Sequence, residues 1–227
     1  PLSDQRKSGW LPPNINLDSR GGLDVAVPYY WNIAPQRDAT FTPKLSSRRG
    51  PSLDTEFRYL EPGYAGEAGV NVLPHDNVAG RSRHALRLRH EGQISLWTAE
   101  AEPLRLSVRG ERVSDDDWWK DFTRPTAAFT PRLLPLDASL SRGFEGPWGH
   151  AEVYVRTQHW QVMQAADAPI DAPYQRSPQV GLQTSGRGGG FEWTAQSEVN
   201  RFTLPDGLAS PTRPTGLRWH GLAALSH

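Results

Sequence analysis

Asp115, Asp116 and Asp117 stand side by side in SDDD (114–117). Three adjacent carboxylates attract a hard cation such as Ca2+. The run lacks the Gly-kinked Asp-x-Asp spacing of a known binding loop, so solvated loop charge is the expected role. The seven histidines, at 75, 84, 90, 150, 159, 220 and 227, form no H-E-x-x-H or other close ligand pair. No G-x-S-x-G nucleophile motif occurs. Nothing fixes two carboxylates at the separation that glycoside hydrolysis needs. The glycines at 186–190 lack the Lys-Ser/Thr and the following helix of a phosphate loop, so a tight turn is expected there. The sequence therefore predicts neither an enzyme nor a cofactor or metal site.

The arginines say more. In RSRHALRLRH (81–90), Arg87 and Arg89 alternate with Leu86 and Leu88. In LRLSVRGERV (104–113), Arg105 and Arg109 alternate with Leu104, Leu106 and Val108. These four arginines are expected on one charged face of a strand. The guanidinium fork also suits phosphate, which gives contact with a phosphorylated ligand as a second reading. Nucleic acid is not expected. Lys+Arg and Asp+Glu are equal at 25 each, without the basic excess such proteins carry.

The elements that must position these residues read as strands. Helical periodicity is scarce, and alternating runs are separated by turn residues. About twelve strands are expected, near 6–15, 23–32, 38–47, 52–61, 64–74, 82–94, 103–113, 130–142, 148–163, 178–185, 191–203 and 216–226. Gly (21) and Pro (20) supply the turns. Cysteine is absent, which excludes disulfides and leaves the compartment open. Mean hydropathy is −0.62 and no run of 18 apolar residues occurs, so no membrane helix is expected. Hydropathy does not exclude a membrane β-barrel, whose alternating strands each give a weak signal. The absence of an initial Met and the strand-like last residues suggest an internal piece of a longer protein.

Alternation alone fits a soluble β-sandwich as well as a barrel. Connection lengths separate them. The later connections run long (114–129), short (144–148), long (165–177), short (187–190) and long (204–216). Antiparallel neighbours put alternate connections at opposite ends, so the long loops share one end, as in outer-membrane barrels. By that parity the turn at 17–22 is extracellular and 32–38 is periplasmic. Trp10, Trp31, Trp97, Trp148 and Trp193 then fall near periplasmic strand ends, and Trp160 and Trp219 near the opposite ends, as head-group belts require.

One stretch breaks the pattern. GLDVAVPYYWNIAP (22–35) alternates like a strand, yet Pro28 sits inside it. Proline lacks the N–H that a ladder rung needs. The break is either a bulge or bend near the rim, or a weakened seam.

The runs KSGWLPP (7–13), VPYYWNIAPQRDATFTPKLSSRRG (27–50), EFRYL (56–60), RVSDDDWWKDF (112–122), TPRLLPLD (130–137), HWQVMQ (159–164) and EVNRFTLPD (198–206) occur in order along nearly the whole chain. Together they resemble the first part of the barrel of the LptD family, the outer-membrane lipopolysaccharide-assembly proteins. The resemblance implies an all-β fold, an antiparallel up-and-down transmembrane barrel, with residues 1–227 forming a partial barrel domain of about twelve strands. A periplasmic jelly-roll domain and the other half of the barrel would lie outside this chain. It implies lipopolysaccharide as cargo, outer-membrane lipid as surroundings and a Gram-negative outer membrane as location. Its partners would be the lipoprotein plug LptE and the periplasmic Lpt bridge, joined through the jelly roll. It further implies that prolines in the first two strands weaken a lateral gate. Pro13 and Pro28 match, and Pro12 is an extra proline beside the family position. Arg87, Arg89, Arg105 and Arg109 become candidates to face the lumen. A divalent ion at SDDD near lipopolysaccharide phosphates is a further reading. The competing functions are a porin-like passive channel, for which the prolines are incidental, and a soluble carbohydrate-binding sandwich.

Overall fold

The computed structural model describes residues 6–18, 22–95, 102–122, 132–164, 169–205 and 213–227. The strands are β1 (Gly9–Trp10), β2 (Asn14–Asp18), β3 (Gly22–Ala26), β4 (Tyr29–Ala34), β5 (Arg37–Ser46), β6 (Gly50–Glu61), β7 (Tyr64–Asp76), β8 (Arg81–Ile94), β9 (Leu104–Val113), β10 (Leu133–Gly146), β11 (Gly149–Val162), β12 (Gln175–Gly188), β13 (Phe191–Thr203) and β14 (Gly216–Ser226). They form one sheet in which β4 to β14 follow chain order, β1 pairs with β4, and β3 pairs with both β2 and β5. The expected twelve arms are present. The sheet has fourteen strands because the first two arms are each broken once, at Pro12-Pro13 and at Val27-Pro28. Among the described residues, one short helix, α1 (Trp118–Phe122), lies inside what the sequence reads as a plain loop. Trp97 lies outside the described residues.

The chain divides into two compact units. The first comprises residues 1–89, 110–134 and 163–169. Its arms pair antiparallel from β4 through β7, with one register shift between Asn32 and Ala34 in the β4–β5 pair and none from β5 to β7: Phe41 faces Thr55, and Thr55 faces Val70. Pro62-Gly63 joins β6 to β7, with Gly63 at φ +91°, a backbone position that favours glycine. The apolar core is small. Val113, Leu134 and Met163 are buried, with Ala85, Trp118 and Trp119 packed against them. Larger aliphatic side chains point away from any core: Ile15 is 70 % exposed, Leu17 77 %, and Leu45, Leu53, Val70 and Val72 are exposed too. Asp38, Arg49, Asp76 and Arg83 are buried instead. A sheet that exposes its aliphatic face and buries charge inverts the rule for soluble domains and fits the strand pattern of a membrane wall.

The second unit comprises residues 90–109, 135–162 and 170–227. Its ladder β11–β14 carries the same inversion. Val153 faces Leu182, Val155 faces Val180, Val180 faces Val199, and Val199 faces Trp219. All of these side chains are exposed. The alternate residues, Tyr154, Gln179, Glu198 and Asn200, form a hydrogen-bonded polar face. Gly189 and Gly190 close the β12–β13 hairpin with φ of 61° and 85°. Two consecutive positive φ values are the type I′ turn that matches strand twist, so the glycines serve a tight turn as expected.

Candidate functional site at the first two arms and on the polar face

Among the described residues, the first arm meets the second through two strand pairs below the break, Gly9 with Tyr30 and Trp10 with Tyr29. Leu11 then donates its N–H to the Pro28 carbonyl at 2.8 Å. An antiparallel pair of this kind normally exchanges two such bonds. Pro28 has no N–H, so the Leu11 carbonyl receives none in return. Above the break, pairing resumes at Asn14 with Ala26. Three steps on the first arm, from Leu11 to Asn14, therefore face two on the second, from Pro28 to Ala26. The extra residue falls at Pro12-Pro13, which is a β-bulge. Bend and missing rung occur together.

A second loss lies on the other side of the second arm. Val27 donates to the Pro43 carbonyl at 3.1 Å, and Pro43 can return nothing. Sequence reading did not single out Pro43; its signal was a proline within the alternating run TFTPKL (40–45). Side chains hold the lower first arm in place. Asn32 takes the Ser8 hydroxyl as acceptor at 2.9 Å and donates its amide to the Arg6 carbonyl at 3.0 Å. Trp10 packs edge-on against Tyr29 at 5.1 Å.

On the polar face of the first unit, a charged cluster forms around Arg83, which is 1 % exposed. Its fork donates to both Asp115 oxygens, at 2.9 and 2.7 Å, and to Asp76 and Asp121 at 3.2 and 2.5 Å. Arg49 donates to Asp76 at 2.6 Å and to Asp121 at 2.8 Å. Asp76, fully buried, also accepts from the Val78 and Ala79 amides. Both guanidinium groups stack on the Phe122 ring, at 5.1 and 4.8 Å. Trp118, Asp121 and Phe122 are spaced to share one side of α1, which turns this segment back onto the strands. Removing one member of such a buried network costs roughly 3–5 kcal/mol, because the remaining charge is left unpaired.

This cluster corrects the reading of SDDD. Asp115 is not solvated loop charge: its oxygens are committed to Arg83, to Arg81 at 3.0 Å and to the Ser114 hydroxyl at 2.6 Å. Burial pushes its carboxyl up. The bonds from Ser114 and Arg83 and the charges of Arg83 and Arg81 outweigh burial, and the net shift is down. Asp116 and Asp117 are exposed, as expected for loop charge. Among the described residues, no three His, Asp or Glu side chains are placed to hold a metal. Sequence reading missed Arg49 and Arg83. Arg83 lies in phase with Arg87 and Arg89, which was the available signal.

Arg87 and Arg89 lie on β8, Arg105 and Arg109 on β9, and all four are exposed. Arg87 and Arg89 belong to the first unit, Arg105 and Arg109 to the second. Arg87 lies 3.9 Å from Glu56 and covers Gly69. On the polar face of the second unit, Arg156 forms an ion pair with Asp137. Glu198 accepts from Tyr154, Gln179 and Asn200 at 2.9, 2.8 and 3.0 Å. A groove of about 230 Å³ runs between His150, Glu152, Gln183, Thr184, Thr194 and Gln196. Its lining mixes amide and hydroxyl groups with the His150 ring and the Glu152 carboxylate.

A scan against protein-family models matched none. Among curated proteins the chain is similar to the LPS-assembly protein LptD of Albidiferax ferrireducens, 45% identical over 207 residues, covering 89% of this chain and 25% of that protein. The LPS-assembly protein LptD of Polaromonas sp. is 41% identical over 236 residues, covering 100% of this chain and 28% of that protein. That of Paracidovorax citrulli is 40% identical over 234 residues, covering 100% and 27%. The chain thus spans about a quarter of the length of the curated relatives it matches. These relatives are named for assembly and not for an enzymatic activity.

Proposed function

Because the chain belongs to the LPS-assembly protein LptD family, of which it is one part, we propose that it forms the first arms of an outer-membrane barrel that delivers lipopolysaccharide to the outer leaflet of a Gram-negative bacterium. Residues 1–227 act as one stretch of barrel wall. The polar face, with Arg87, Arg89, Arg105 and Arg109, lines the lumen and takes the sugar part of the cargo. The acyl chains stay with apolar surface and leave sideways at the first arm, where Pro12, Pro13 and Pro28 weaken pairing. The barrel makes and breaks no covalent bond, and the driving energy comes through the periplasmic Lpt bridge. LptE occupies the lumen, and nucleic acid has no part.

The observation that carries this reading is the unreturned bond between Leu11 and Pro28 beside a one-residue bulge. Closure normally removes every edge of a barrel, so pairing losses concentrated on one seam make it the easiest place to part. Each missing rung costs on the order of 1 kcal/mol in water and several in lipid. A passive channel has no use for such a seam. A soluble sandwich is disfavoured by the exposed aliphatic face.

The test uses the full-length protein in cells. A photo-crosslinking residue is placed singly at Gly9, Leu11 and Pro13, and at Leu106 as control. Lipopolysaccharide adducts at the first arm and not at Leu106 are expected. Equal labelling, or none in correctly inserted protein, contradicts a lateral exit and favours a passive channel.

A further inference from the structure

Resting on the barrel reading and orientation above, we propose that Arg142 binds the phosphate of an anionic phospholipid in the periplasmic-facing leaflet. The argument begins with phase along β10. Asp137 pairs with Arg156 on the polar face. His150 bonds Glu145 at 2.6 Å, and its ring lies 3.3 Å from where a Cβ on Gly143 would stand. Asp137, Gly143 and Glu145 therefore share the polar face. Leu136, Leu140, Arg142 and Phe144 share the other, where Leu136 and Phe144 are exposed. A guanidinium is thus set among side chains that face lipid.

Among the described residues, no carboxylate forms an ion pair with it. The Nε of Arg142 is buried without a hydrogen-bond partner. Arg37, Arg58, Arg83 and Arg156 each have a carboxylate, whereas the Arg142 guanidinium lies over the Phe144 ring, 5.0 Å from Cζ. A charge in hydrocarbon is tolerated when its stem carries the head to the interface. Arg142 stands four residues before the strand end at Gly146, about 13 Å of strand and less along the membrane normal because barrel strands tilt. Phe144 lies on the way to that end and the exposed Trp148 just beyond it, at head-group depth. The side chain leans over Phe144, toward the turn. A phosphate diester there offers the paired oxygens that a guanidinium fork takes. The short-turn end is periplasmic in the proposed orientation, so the phosphate belongs to a phospholipid and not to lipopolysaccharide.

The test reconstitutes full-length protein into vesicles of phosphatidylcholine with phosphatidylglycerol carrying a photoactivatable headgroup, and maps adducts by peptide mass spectrometry. Adducts are expected on the segment around 140–148, falling about tenfold in Arg142→Leu. Arg142→Gln keeps a polar stem and serves if the leucine variant does not assemble, with heat-shifted gel mobility as the check of folding. Adducts unchanged by either substitution overturn the proposal. So does labelling of this segment by a lipopolysaccharide probe but not by phosphatidylglycerol. The phosphatidylglycerol vesicles contain no lipopolysaccharide, which is offered only in a separate preparation, so the phospholipid result is independent of transport, and a passive channel would label in the same way.

Discussion

Leu11 and Pro28 share one hydrogen bond where an antiparallel pair of their kind shares two. The bond that exists runs from the Leu11 amide to the Pro28 carbonyl at 2.8 Å. The missing one is forbidden by the covalent structure of proline. It falls one residue from the bulge at Pro12-Pro13, and one residue from Val27, whose carbonyl gets no return from Pro43. The second arm is thus under-bonded on both sides at one level.

That arrangement sets a pattern of local opening. The amides of Leu11, Val27 and Tyr29 should exchange hydrogen faster than those of Ala39 and Phe57, which sit in an unbroken ladder. Hydrogen exchange with mass spectrometry on full-length protein in detergent reads this directly. Equal protection of the two groups contradicts a weakened seam.

The Arg83 cluster should dominate the stability of the first unit. Arg83→Ala removes both fork bonds to Asp115 and the shortest donor of Asp121, and should cost about 3–5 kcal/mol. Lys120→Ala, in the same helix but on a half-exposed ion pair with Asp117 at 3.8 Å, should cost less than about 1 kcal/mol. Denaturant unfolding of the two variants compares them.

The same cluster gives the α1 segment an acid limit. The Asp115 carboxyl is held below its ordinary value in the folded protein. Its contribution is therefore fully present above the unfolded value near 3.9 and is lost as pH falls through the lower, folded value. Proteolysis within 114–122 should stay slow at neutral pH and through mild acid, and rise only in strong acid. Asp115→Asn should remove that step. Cleavage that rises near pH 6 would assign the switch to another group.

Gly149 tests the short-turn end of the second unit. It has φ +118°, and a Cβ there would stand 2.1 Å from the Ser185 carbonyl oxygen. Backbone strain and clash act together, so Gly149→Ala should destabilise by more than about 2 kcal/mol. Gly188→Ala, which meets nothing within 4 Å, should stay within about 1 kcal/mol. Thermal unfolding in detergent separates them.

Strand placement was legible because alternation has period two and the faces are strongly different in polarity. The arms near 52–61, 64–74 and 191–203 match β6, β7 and β13 closely. The bend at Pro28 was legible for the same reason, since proline stands out in an alternating run. The buried cluster was not. Arg49 lies in the β5–β6 turn and Asp76 at the end of β7, and Asp121 follows a stretch without strand periodicity, so only the fold brings them to Arg83. Asp115 illustrates the limit: three adjacent carboxylates look alike in sequence, and burial distinguishes one of them. Pro43 was overlooked because a missing rung matters only once its partner, Val27, is known.

The most direct test of the seam is to restore its missing rung. Pro28→Ala supplies the N–H that the Leu11 carbonyl lacks. Full-length protein with this change is expressed as the sole copy, and newly made lipopolysaccharide is followed to the cell surface at matched levels of inserted protein. The weakened-seam account predicts a several-fold slower appearance, in line with about 1 kcal/mol of added pairing. An unchanged rate would contradict it and leave Pro28 as a bend with no part in release.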